Sequence, residues 1–207
     1  MMKKHLLGLL ILIPFFANGQ YKAEEFEAAL LEANYGALLV YNGQTNSFFL
    51  RLEAKTLEPT DKSNFIKVDN ILIQSSITPF TQELDFKNLD SEMQRKFLAS
   101  WKAYEKKWVE EQLKMKLTEK EKFIDISNRP FLYWTYDMPK NNDKNAVDKQ
   151  VYVVTICFDQ ILILNGPVEK GKKEEIVKDK LLTIANTLTL YPNQTQDLKK
   201  LYYELKK

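Results

Sequence analysis

The chain has 207 residues, 44% of them hydrophobic and 28% charged, with 30 basic and 28 acidic side chains, one Cys and one His. So even a balance argues against a dedicated nucleic-acid binder, whose affinity rests on clustered positive charge. A single Cys excludes an intramolecular disulfide and a thiolate metal cluster, so apolar burial has to hold the fold unaided.

The opening stretch MMKKHLLGLLILIPFFANGQ joins two lysines, an apolar run from Leu6 to Phe16 and a small-x-small signature at Ala17-Asn18-Gly19. That pattern predicts a secretory signal peptide over residues 1–19, cleaved near Gly19. The apolar run is shorter than the roughly 20 residues that span a bilayer, and no later segment is apolar for as long. The expectation is therefore a protein of residues 20–207 with no transmembrane span, periplasmic or secreted, and with no Cys near the cleavage point to carry a lipid. Loss of Lys3 and Lys4 leaves 28 basic against 28 acidic side chains. Loss of His5 leaves no histidine. Ser-His-Asp and Cys-His nucleophilic sites and His-built zinc sites are then excluded, whereas an all-carboxylate site survives.

In chain order, residues 22–33, KAEEFEAALLEA, place Phe26, Leu30 and Ala33 at spacings of four and three and predict a short amphipathic helix. ALLVYNGQTNSFFLRLE follows, two β-prone runs around Asn42-Gly43, and predicts a hairpin. NFIKVDNILIQSSI, 64–77, predicts one or two strands with a turn at Asp69-Asn70. Ser91 and Gln94 form a capping box for the longest helix, to about Met115, with Leu89, Met93, Phe97, Trp101, Tyr104 and Trp108 as its core stripe. PFLYWTYDMP and QVYVVTICFDQILILN supply three strands, the last two joined near Asp159-Gln160. A helix over 173–188 carries Val177, Leu181, Ile184 and Leu188, and a last short helix carries Leu198, Leu201, Tyr202 and Leu205.

Strands that follow one another through short turns predict a mainly antiparallel β-sheet packed by amphipathic helices, an α+β fold, and the absence of any linker or repeat predicts a single domain over 20–207. The Trp134-bearing strand, the antiparallel pair over 150–165 and the helix over 173–188 resemble the closing unit of PsbP-like proteins, small exported α/β/α sandwiches. The resemblance covers roughly the last 80 residues. It implies an α/β/α sandwich with a non-enzymatic binding or assembly role.

ILILNGPVEKGKKEEIVKDKLL carries a Gly-x-x-x-x-Gly-Lys loop from Gly166 to Lys172 between a strand and a helix. A phosphate-binding loop needs a hydroxyl next, to hold Mg²⁺, and Lys173 stands there; Pro167 also removes a backbone N–H. The loop reads as solvated, with Lys170, Lys172 and Lys173 as a candidate contact for an anionic lipid or glycan at a helix N-terminus. In FLYWTY, 131–136, the rings of Tyr133, Trp134 and Tyr136 are either strand core or a surface for a sugar ring or a partner. Cys157 reads as a buried, inert thiol, and Asp137 and Asp159 as the carboxylates best placed at strand ends for a site. No catalytic, metal or cofactor-binding set stands out, and no cofactor is expected. The leading reading is an exported, non-catalytic binding or envelope-assembly protein whose partner is an envelope protein, glycan or lipid. The alternatives are a carboxylate-dependent glycan hydrolase and an exported immunity or inhibitor protein.

Overall fold

The structure is a computed structural model that describes residues 21–62, 64–81, 88–143 and 146–206. The expected leader, His5 and the cleavage point lie outside the described residues. The chain forms β1 (Glu27–Ala33), β2 (Gly36–Asn42), β3 (Ser47–Glu53), β4 (Leu57–Pro59), β5 (Phe65–Val68) and β6 (Ile71–Pro79). After α1 (Ser91–Leu113) come β7 (Glu119–Ile126), β8 (Arg129–Asp137), β9 (Val147–Cys157) and β10 (Gln160–Glu169). The chain closes with α2 (Glu174–Ala185), β11 (Thr189–Tyr191) and α3 (Leu198–Leu205).

The strands make two antiparallel sheets, one in the order β1-β2-β3-β11 and one in the order β4-β5-β6-β10-β9-β8-β7. Between them lies a shared core: Tyr41, Phe48 and Leu50 of the small sheet meet Val153, Leu162 and Leu164 of the large one, with Val177, Leu181 and Ile184 of α2 alongside. The Tyr41 hydroxyl and the Ser75 hydroxyl, 2.8 Å apart, link the sheets directly. On its other face the large sheet packs Leu132, Trp134, Val154 and Ile163 beneath Leu98 and Val109 of α1. The outer face of the small sheet, with Leu38, Val40 and Phe49, is covered by Leu198, Leu201 and Leu205 of α3. The expected α+β class is present, built on two sheets.

Four expectations change. The predicted first helix is β1, paired with β2 from Glu27↔Asn42 to Ala33↔Gly36. Helix propensity of Ala, Leu and Glu is a preference of tenths of a kcal/mol per residue, and over seven residues a complete ladder outweighs it. Asn34 and Tyr35 make the turn, and Gly36 (φ +132) opens β2 directly after it, where a Cβ would strike the Leu52 carbonyl oxygen. The Asn42-Gly43 hairpin is present, but Gly43 is needed for space: the Glu24 carboxylate fills the loop, and a Cβ would collide with it. True two-residue turns with both residues left-handed occur at Asp69-Asn70, as expected, and at Ser127-Asn128, which joins β7 to β8.

The long helix starts where expected, but its cap is Asp90, whose carboxylate accepts the Met93 N–H at 2.7 Å. Gln94 donates to the Leu89 carbonyl instead of closing a box with Ser91. Its core stripe is also rotated. Leu98 and Val109 are buried and Phe97 and Trp101 partly so, whereas Tyr104 is 73% and Trp108 52% exposed, and Met93 faces water too. The cause is β7, a strand the sequence reading did not assign. Arg95 bonds Asp125 at 2.6 Å, Lys102 bonds Glu119 and Glu121, and Lys106 bonds Glu119 at 2.5 Å. Spaced seven and four residues apart, these cations pin one flank of α1 over the β7 edge and turn the exposed aromatics roughly 120° away from the buried pole.

Candidate functional site

The aromatic strand is core. Trp134 is 0% exposed, Tyr133 and Tyr136 are buried, and each polar end has a partner. Trp134 Nε1 donates to Glu119 at 2.7 Å, the Tyr133 hydroxyl donates to Glu174, and the Tyr136 and Tyr152 hydroxyls meet at 3.3 Å. The open-platform reading of Tyr133, Trp134 and Tyr136 is therefore corrected: α1 covers one face of β8 and the shared core the other.

Lys170, Lys172 and Lys173 are exposed, with Lys170 Nζ donating to the Asn141 carbonyl at 3.1 Å. Lys173 is the N-cap of α2 and makes no side-chain cap. The anion at this helix start is the chain's own Glu174, which accepts from Tyr133 and from Lys149 at 2.9 Å. Burial raises the Glu174 carboxyl, but those two donors outweigh it and hold it below the usual carboxylate range. Gly166 lies inside β10, which runs antiparallel to β9, unlike the parallel strand of a phosphate-binding loop.

Asp137 and Asp159 do not meet. Asp137 stands opposite Lys149 at one end of β9 and Asp159 follows Cys157 at the other, about 26 Å apart along the strand. Asp159 accepts from Tyr21, from the Glu24 backbone N–H and from Gln160. Its neighbour Gln160 lines a cleft of about 750 Å³ together with Tyr21, Glu24, Glu25, Phe26, Glu27 and Phe80. The inner carboxylate of that cleft, Glu24, accepts the backbone N–H groups of Thr45 and Asn46 and both their side chains. Burial raises Glu24, yet these four donors win and its carboxyl lies below the usual range. Glu25 pairs with Lys22 at 2.6 Å in the open. Glu24 is thus a brace for the hairpin loop, and it lacks the raised pKa of a general acid. Among the described residues no three His, Cys, Asp or Glu side chains cluster as metal ligands. Cys157 is fully buried, and burial pushes its thiol up to about 12, which makes it a packing residue.

The place the sequence reading missed is the flank of α1 turned away from β7. Trp101, Glu105 and Trp108 follow at i, i+4 and i+7 and so share one strip of the helix. Glu105 is half-buried, and burial alone raises its carboxyl. Among the described residues it accepts no hydrogen bond and makes no ion pair. Burial pushes up the phenols of Tyr136 and Tyr152; the Glu105 charge adds to the rise in both, for Tyr152 after the larger effect of the neighbouring Tyr136. Their rings are 5.9 Å apart at 25°, and each is about as close to Trp134, at 5.0 and 4.9 Å. Trp101 meets Trp134 edge-on at 6.3 Å and 89°. The spacing predicts Trp101 and Trp108 as core, and Trp108 is 52% exposed.

No family model matches the chain, and no curated protein matches it. Its fold is similar to the solution structure of cyanobacterial PsbP (CyanoP) from Synechocystis sp. PCC 6803, at 9% sequence identity and a TM-score of 0.45. The match covers 74% of this chain and 92% of that one. The expected likeness to PsbP-like proteins is found, as a distant resemblance of fold.

Proposed function

We propose that the protein is an exported, non-catalytic binding or envelope-assembly protein, a single α+β domain over 20–207, that engages its ligand through the outward flank of α1. One observation carries the reading: Trp108 and Tyr104 face water beside Glu105, a half-buried carboxylate without a counter-charge among the described residues. Large rings left in water around an uncompensated charge mark a contact surface better than a reaction centre. The occupant of such a face is cationic. Two further features support binding over hydrolysis. The cleft carboxylate Glu24 is saturated by hairpin donors, and Asp137 and Asp159 sit at opposite ends of a strand. A shared core between the sheets supports one domain.

Two measurements test this. Expressed from its full sequence, the protein should be recovered outside the cytoplasm with a mass that begins near Gln20; an unprocessed cytoplasmic protein would refute export. Incubated with envelope glycans, it should release no reducing ends; sustained turnover that a Glu24→Gln variant lacks would make it a hydrolase.

A further inference from the structure

We propose that the cleft beside the unpaired end of β6 receives an extended, basic segment of a partner protein, which adds a strand to the large sheet. The site is separate from the flank of α1 and does not depend on the role given to that flank. Three observations converge on it. First, half of β6 lacks a neighbour on one side. β5 pairs with it only from Ile71 to Gln74, and the last bond in that direction runs from the Ser75 N–H to the Asn64 carbonyl at 3.1 Å. Backbone groups alternate sides along a strand, and the Phe80 N–H bonds Asp159 on the β10 side. The Ile77 N–H and C=O therefore point the way Ser75 does, into a seat that no strand fills among the described residues. Such an edge is a template for an added strand.

Second, the seat opens on a cavity with an apolar floor. The cleft of about 750 Å³ is lined by Ile77 and Pro79 of β6 and by Phe26 and Glu27 where β1 begins. Phe26 and Ile77 rest on the shared core. β1 is the edge of the small sheet, and its Ala28 and Leu30 stand opposite Tyr41 and Leu39, which pack into that core. That face of β1 is turned towards the large sheet, yet Ala28 is exposed and Leu30 is 47% exposed. An added strand would offer alternate side chains to it. Third, the rim selects charge. The charged groups lining the cleft are Glu24, Glu25, Glu27 and Lys22, and Lys22 is taken by Glu25. The donors to Glu24, from Thr45 and Asn46, are neutral and keep its carboxyl ionised. Glu24 and Glu27 thus leave the rim negative, which draws a basic segment and repels an acidic one.

The test titrates the ¹⁵N-labelled protein with the acetylated, amidated peptide Lys-Val-Lys-Val-Lys-Val-Lys and reads the Ile77 amide. In the free protein this amide should exchange with solvent far faster than those of Ser76 and Thr78, which face β10. The peptide should shift it saturably and slow its exchange at least tenfold. N-methylation of the valines, which removes their hydrogen bonds to β6, should weaken binding about tenfold. Glu27→Lys should weaken it about threefold with an unchanged circular dichroism spectrum, and the peptide with Glu in place of Lys should not bind. An Ile77 amide already protected in the free protein would mean that the chain fills its own seat, and protection that grows with protein concentration that a second copy fills it. Either result overturns the proposal, as does the absence of a saturable shift or equal binding of the N-methylated or acidic peptide.

Discussion

The two flanks of α1 are built from the same helix and behave oppositely. Over β7, Arg95, Lys102 and Lys106 find Asp125, Glu119 and Glu121, and Glu119 also accepts the buried Trp134 N–H. On the other flank, Trp101, Tyr104 and Trp108 run along the rim beside Glu105, which makes no ion pair among the described residues. Paired charge sets where the helix sits, and the apolar stripe takes what contact remains. A stripe of large rings turned from its natural sheet contact by ion pairs is a surface kept open at the expense of burial.

Substitutions along the two flanks should separate them. The largest effect belongs to the ring beneath both: Trp134→Ala should cost about 3–5 kcal/mol in urea denaturation, since it empties a fully buried site and strips a donor from Glu119. Glu119→Gln should come next, at about 1–3 kcal/mol, because Lys102, Lys106 and Trp134 share that carboxylate. Asp90→Ala, which removes the cap, should cost about 1 kcal/mol. Trp108→Ala should cost about 0.5 kcal/mol or less, as a surface change does. A Trp108 effect as large as that of Glu119 would mean that the two flanks are equally structural.

Acid stability offers a control far from α1. Hydrogen bonds from Lys180 and from the Thr56 and Lys55 N–H groups hold the Asp69 carboxyl at about 2, against 3.8 without them. A depressed carboxyl stabilises the fold above the unfolded value and loses that contribution as pH falls through the folded one. Asp69→Asn should therefore lower stability at neutral pH and flatten the loss between about pH 4 and 2. An acid-unfolding curve with the wild-type slope in that window would count against the Asp69 contacts.

What the sequence disclosed follows from how local each cause is. The β8, β9 and β10 strands were legible because long β-branched and aromatic runs are bounded by turn residues, and Asp69-Asn70 because both residues tolerate a left-handed backbone. β1 was not, since Ala, Leu and Glu favour a helix and only the distant β2 edge makes it a strand. β7 hid behind its charges: the start of EKEKFIDI offers an apolar side on neither face, as suits an exposed edge. That omission produced the next one. Without β7 there is no partner for Lys102 and Lys106, hence no reason for α1 to rotate, and Trp108 reads as core. The candidate site was illegible for the same reason, since Glu105 is distinctive only once its neighbours' ion pairs are known to point elsewhere.

The most direct test of the account is the broadening of the three indole N–H resonances by a neutral, soluble paramagnetic agent in the unliganded protein. Trp108 should broaden strongly, Trp101 less, and Trp134 not at all, in the order of their exposure. A Trp108 signal as protected as that of Trp134 would contradict the account, because the flank proposed to receive a ligand would then be closed to solvent.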